Sequence, residues 1–141
     1  MKKLLLLLAL VASTITLITG CRTMGIEDYP DTKQVSNLIT NGNWRVNTFV
    51  QSNQVQTNNY NGYLFTFEPT GDVKATSASG ITIGQWQSSD VTNRLIITFN
   101  NPNAELSKIA KEWIVNEQQP STLSLINNDA GENYLLKIAQ Q

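Results

Sequence analysis

The chain has 141 residues, ten basic against eleven acidic for a formal charge of −1, and 40% apolar residues. It holds no histidine and one cysteine. Histidine acid–base chemistry, Ser-His-Asp and Cys-His nucleophiles, His/Cys zinc sites and intrachain disulfides are therefore excluded.

Residues 1–20 have the layout of a secretory signal. Lys2 and Lys3 form the charged start, residues 4–11 are an unbroken apolar run dominated by leucine, and a milder segment ends in small residues. The run is too short for a spanning helix, which needs about twenty apolar residues. Removing Lys2 and Lys3 leaves eight of the ten basic residues against eleven acidic ones, a net of −3. Nucleic acid is then not an expected partner, because binding it requires a basic surface. What remains is one domain, since chains divide only beyond roughly 250–300 residues.

Ile18-Thr19-Gly20-Cys21 resembles the bacterial lipoprotein box, with the only cysteine of the chain at the acceptor position. That resemblance implies that Cys21 carries a diacylglyceryl thioether and an amide-linked, palmitate-class acyl chain. Two chains already anchor a protein stably, so three make a permanent tether to a membrane. Arg22 stands where family sorting rules would place an aspartate for inner-membrane retention, which implies an outer-membrane lipoprotein of the cell envelope. Residues 21–37 read as the lipidated tether, with Gly25, Pro30 and scattered charges, and 34–39 as a short helical turn inside or just beyond it.

From 38 to 141 the chain is a succession of short alternating segments. Asn41-Gly42 is a turn, and 44–51 places Trp44, Val46, Thr48 and Val50 on one face. Residues 53–61 are asparagine-rich, a loop or a weak edge strand. Segment 63–68 aligns Tyr63, Phe65 and Phe67, and residues 69–72 turn it into 73–77. After Ser79-Gly80, 81–88 carries Ile81 and Ile83 on one face. Another turn at 90–93 leads to 94–100, with Leu95, Ile97 and Phe99 alternating. Period-2 patterning, β-branched and aromatic enrichment and flanking Gly, Pro, Asn and Asp mark these as strands.

Residues 104–111 break the pattern. Leu106, Ile109 and Ala110 share a helical face with Trp113, Asn103 is placed to cap, and Glu105 sits in the first turn. Strands resume at 112–117, 122–127 and 134–140. The fold class is all-β: about eight antiparallel up-and-down strands with one short helix. Closure into a barrel removes the edges, and an open sandwich is the alternative.

Gly42-Asn43-Trp44 at the first strand resembles the G-x-W of lipocalins, and Lys137 occupies the last strand, where that family carries a basic residue over the tryptophan. Phe65-Thr66-Phe67 with Gly71, and a second G-x-W at Gly84-Gln85-Trp86, are similar to the short lipocalin-like lipoproteins of bacteria. The likeness covers about 38–141. It implies a small barrel, closed by Gly42, Trp44 and Lys137, that holds an apolar or amphipathic ligand. The usual residue at the Lys137 position is arginine, whose planar guanidinium stacks on indole as lysine does not.

Phe65, Phe67, Trp86, Phe99 and Trp113 either line such a pocket or fill the barrel, since eight strands enclose just enough room for side chains. Glu68 and Asp72 flank one hairpin turn, which is not the cleft-spanning pair of a glycosidase. Residues 127–132 carry oxygen donors without the spacing of an EF-hand. The amides of 51–61 with Tyr60 and Tyr63 are adaptable contact chemistry. No cofactor, metal or catalytic residue is implied. Two non-enzymatic readings follow: a lipid-anchored barrel binding a small apolar molecule, or an envelope module with a filled barrel contacting a protein or glycan.

Overall fold

The computed structural model describes residues 32–89, 91–129 and 131–141. The signal, the lipoprotein box and Cys21 lie outside the described residues. Nine strands follow one another: β1 (Asn43–Gln51), β2 (Gln54–Val55), β3 (Leu64–Phe67), β4 (Asp72–Ser77), β5 (Gly80–Ser89), β6 (Arg94–Phe99), β7 (Glu112–Gln119), β8 (Thr122–Asp129) and β9 (Glu132–Gln140). Neighbours pair antiparallel from β3 through β9, β1 pairs with β3, and β9 returns to β1 over the register Trp44↔Gln140 to Gln51↔Tyr134. Eight strands thus close into a barrel, as the alternating segments predict, and β2 is a two-residue addition to the end of β1.

Closure leaves the interior to every second residue of each strand. Phe65, Phe67, Val73, Ala75, Leu95, Ile97, Leu123, Leu125, Leu136 and Ile138 alternate inward as the pattern requires, and all are buried. In β1 the alternation breaks. Pairing with β9 skips from Val46↔Ile138 to Thr48↔Lys137, so Asn47 is an unpaired bulge. One extra residue reverses the faces beyond it. Trp44 and Phe49 are both fully buried, five residues apart, while Val50 turns to the half-exposed side. The face shared by Trp44, Val46, Thr48 and Val50 in the sequence is therefore split at the bulge.

Ile81 and Ile83 do share a face, and it is the outer one: they are exposed by 64% and 51%. Between and beyond them the inward positions of β5 are small or flat, Gly84 facing Phe99 in register and Trp86 facing Ile97.

Helices close both ends. α1 (Thr32–Ile39) begins inside the stretch assigned to the tether, and Val35 and Ile39, four residues apart on one face, are fully buried with Leu38 packed against them. It covers the end where β1 starts. At the opposite end, α2 (Ala104–Ile109) bridges β6 and β7 and buries Leu106 and Ile109. Its cap is the one read from the sequence, with Asn103 Oδ1 accepting the Leu106 amide at 2.9 Å.

Candidate functional site

The barrel interior is where a ligand chamber and a side-chain core are the competing expectations. Trp113 is fully buried, Phe65 and Phe67 are 2–3% exposed, and Trp86 and Phe99 are each 9% exposed. Ring contacts run from Trp113 to Tyr134, Phe49, Tyr60, Tyr63, Phe65 and Phe99 with centroids 5.0–6.5 Å apart. Phe67 and Trp86 form a separate edge-on pair at 6.0 Å. Spacings of this kind are packing distances between aromatic rings. Of the two readings left open for these aromatics, lining a pocket or filling the barrel, their mutual contacts favour filling, with Trp86 also bordering a cavity on the wall.

Each tryptophan also spends its indole N–H on a carbonyl at a rim. Trp44 Nε1 donates to Ile39, the last residue of α1, at 2.8 Å, and Trp113 Nε1 donates to Ile109, the last residue of α2, at 2.9 Å. Trp86 Nε1 donates to Glu68 in the β3–β4 turn at 3.0 Å. Both helix ends leave carbonyls without intrahelical partners, and a buried indole satisfies one at each.

The closing contact inferred from the lipocalin likeness is different here. Lys137 is exposed, because Leu136 and Ile138 on either side of it point inward. It pairs in register with Thr48, while Trp44 pairs with Gln140. The plug over Trp44 is α1. Gly42 has φ at +87° in the turn entering β1, with Gln140 Nε2 within 2.9 Å of where a Cβ would stand.

At the α2 end a polar network joins the loop after β1 to α2 and β9. Gln51 Nε2 donates to Glu132 Oε2 at 3.0 Å, and the Tyr134 hydroxyl donates to the same oxygen. Gln56 links Gln51 to Lys108, which pairs with Glu105 at 3.2 Å. Lys111 Nζ lies 3.4 Å above the Tyr134 ring, a cation–π contact. Burial pulls the Lys111 ammonium below its ordinary range, opposed by Asp129 and Glu132. Tyr60, grouped with Tyr63 as contact chemistry, is buried, and its hydroxyl donates to the Glu105 carbonyl at 3.0 Å. Desolvation, with the Glu105 carboxylate and Tyr63 adding to it, raises that hydroxyl far above its ordinary value.

Hydrogen bonds from Tyr134 and then Gln51 hold the Glu132 carboxyl below its ordinary 4.5. A depressed carboxylate contributes stability above its unfolded value and loses it as pH falls through the folded one. Tyr134→Phe is accordingly expected to be less stable than the parent near pH 7, with the difference shrinking at about pH 3. Urea unfolding at both values reads it. An equal difference at both would assign the loss to the hydroxyl's uncharged contact with Gln51, which donates to it at 3.2 Å.

The carboxylates at the β3–β4 hairpin serve the turn. Glu68 pairs with Lys74 at 3.1 Å, and Asp72 accepts from Thr70 at 2.9 Å. Cavities lined by described residues include three on the wall: about 320 Å³ beside Gln85, Trp86 and Thr98, about 250 Å³ beside Ser124 and Lys137, and about 400 Å³ beside Arg94 and Asn128. None of the three is lined by Phe65, Phe67, Phe99 or Trp113.

No protein-family model and no curated protein matches the chain. Among solved structures it is similar to a DUF4847 family protein from Bacteroides vulgatus ATCC 8482, with a TM-score of 0.60 at 16% identity over 76% of this chain and 97% of that one. An uncharacterized protein from Bacteroides eggerthii DSM 20697 aligns with a TM-score of 0.45 at 17% identity, over 68% and 96%. The first of these shares the fold. The class is a closed eight-stranded antiparallel barrel with one extra strand and few helices, which a lipocalin-like barrel fits coarsely.

Proposed function

We propose that the protein is a lipid-anchored, non-catalytic interaction module of the bacterial envelope, whose filled barrel presents loops to an envelope protein or glycan. The observation that carries this reading is the interior: the side chains that would line a ligand chamber are packed into a core, and a helix covers each end. An apolar cargo would have to displace that core. The anchor rests on the box at 18–21 and on Cys21 as the only cysteine. The contact surface is the rim opposite α1, where Asn53, Gln54, Asn58, Asn59 and Asn61 are exposed around Val55, itself 74% exposed. Amide side chains with an apolar centre suit adaptable recognition.

Cys21→Ala tests both halves in one preparation. The variant is expected in the soluble periplasmic fraction, and native mass spectrometry without detergent is expected to return the mass of the chain alone. Persistence in the membrane would refute the anchor. A stoichiometric small molecule that leaves on denaturation would refute the filled barrel and restore the apolar-ligand reading. A photo-reactive residue at Val55 is further expected to crosslink a partner in cells, whereas one at Ile81 on the wall is not.

A further inference from the structure

The wall made by β7, β8, β9 and β1 carries a polar pocket that the interaction reading does not use. Two bulges frame it. Asn47 is the extra residue in β1, and in β7 the pairing skips from Val115↔Leu125 to Glu117↔Ser124, leaving Asn116 extra. Ser124 and Lys137 are opposite each other on β8 and β9. Glu117, Ser124, Lys137 and Thr48 therefore form one row across four strands, with an inserted residue next to each end. Bulges bend the strand that carries them and re-aim side chains, and they concentrate beside binding sites.

Ser124 forms the floor. It lies on the outward side of β8, between the inward Leu123 and Leu125, yet it is 5% exposed and its hydroxyl has no hydrogen-bond partner. A buried hydroxyl left in this way is uncommon and calls for an explanation. The groups around it are open as well. Among the described residues, the Lys137 ammonium, the Asn47 amide and the Thr122 hydroxyl make no hydrogen bond or ion pair, and the Glu117 carboxylate accepts only from Gln119, at 3.2 Å. Glu117 and Lys137 sit two strand spacings apart, roughly 10 Å at the backbone, and do not pair with each other.

The pocket thus presents a cation, a hydroxyl and a carboxylate in line, within about 250 Å³. A simple anion would meet Glu117, a simple cation would meet Lys137, and an apolar molecule would leave all three groups unpaired. Its volume is below the roughly 300–1,000 Å³ of sites for drug-sized ligands. We propose that this pocket binds a small zwitterion of the amino-acid or dipeptide class, with its carboxylate on Lys137 Nζ and the Ser124 hydroxyl and its ammonium on Glu117.

The test uses the isotopically labelled, exported protein in detergent and three probes: glycylglycine, N-acetylglycine without the cation, and glycinamide without the anion. Glycylglycine is expected to shift the backbone amides of Asn47, Ser124 and Lys137 saturably. Each analogue is expected to bind at least about tenfold more weakly, because a charged partner of the pocket is left unpaired. Lys137→Met should lose the preference for glycylglycine over glycinamide. Ser124→Ala should weaken binding yet leave the ligand-free protein no less stable, since no protein group depends on that hydroxyl. An absence of saturable shifts would make the pocket a solvent-filled notch and overturn the proposal. Equal responses to the three probes, or a Ser124→Ala protein that is destabilised without ligand, would overturn it too. None of these outcomes bears on the anchor or on the filled barrel.

Discussion

Gly84→Ala is expected to lower the unfolding free energy by about 3 kcal/mol or more, the upper range for forcing atoms into a packed interior. A Cβ at this position would overlap the Thr98 carbonyl oxygen and stand 2.8 Å from both the Thr98 carbonyl carbon and Phe99 Cδ1. The obstacle is backbone, in the middle of the β5–β6 ladder, where Gly84 pairs with Phe99. Neither strand can retreat without opening its pairing with the next, because the sheet is closed. Glycine inside a strand often marks such a close approach. Gly62→Ala is the control: φ is +87° there, but nothing lies within 4 Å. Its cost should be about 1 kcal/mol, from the left-handed backbone alone. Urea melts of the two variants beside the parent measure the difference, and equal losses would mean that β5 and β6 part more easily than their packing implies.

Trp44→Ala is the second large effect, with an expected loss of about 3–5 kcal/mol for truncating a fully buried tryptophan. Part of that loss belongs to α1. Trp44→Phe retains most of the ring volume and removes the N–H donated to the Ile39 carbonyl, so it isolates the bond, at about 1–3 kcal/mol for a buried acceptor left unpaired. Hydrogen exchange separates the two contributions. In Trp44→Phe the amides of α1 should lose protection while those of α2, held by Trp113, keep theirs. Unchanged α1 protection with a full loss of global stability would reduce Trp44 to a volume filler.

Much of this architecture is legible in the residues. The strand segments carry period-2 patterning strong enough to place eight strands, and the Asn103 cap with Leu106 and Ile109 on one face locates α2. Closure follows because a meander of that length has two edges to remove. The bulges at Asn47 and Asn116 are another matter, since an inserted residue has no compositional mark. The face of β1 is consequently assigned to Val50, when the buried side chain is Phe49. Phe49, Tyr60 and Tyr134 enter the aromatic core without having been singled out for it, and all three depend on contacts between distant segments.

Two further differences had signals within reach. The helical turn read over 34–39 is the larger part of α1 (Thr32–Ile39), and what the tether reading leaves out is its burial, although Val35 and Ile39 stand four apart, the spacing of one helical face. Lys137 lies between Leu136 and Ile138 in an alternating strand, which alone places it outside the barrel. The lipocalin likeness implies a contact with Trp44, whereas the register pairs Lys137 with Thr48. The wall pocket was not legible at all, because Glu117, Ser124 and Lys137 come together only through strand register and two insertions.

The three indole bonds give this chain an optical property. Trp44, Trp86 and Trp113 are its only tryptophans, and each is fastened to a different rim segment: α1, the β3–β4 turn and α2. Indole emission shifts to the red when the ring meets water, so each fluorophore reports the lifting of one rim segment. Single replacement by phenylalanine removes one reporter together with its own fastening, so subtracting each variant's emission from the parent's isolates one indole at a time. The difference spectra would reveal whether one end of the barrel opens before the other, or whether both ends and the wall give way together.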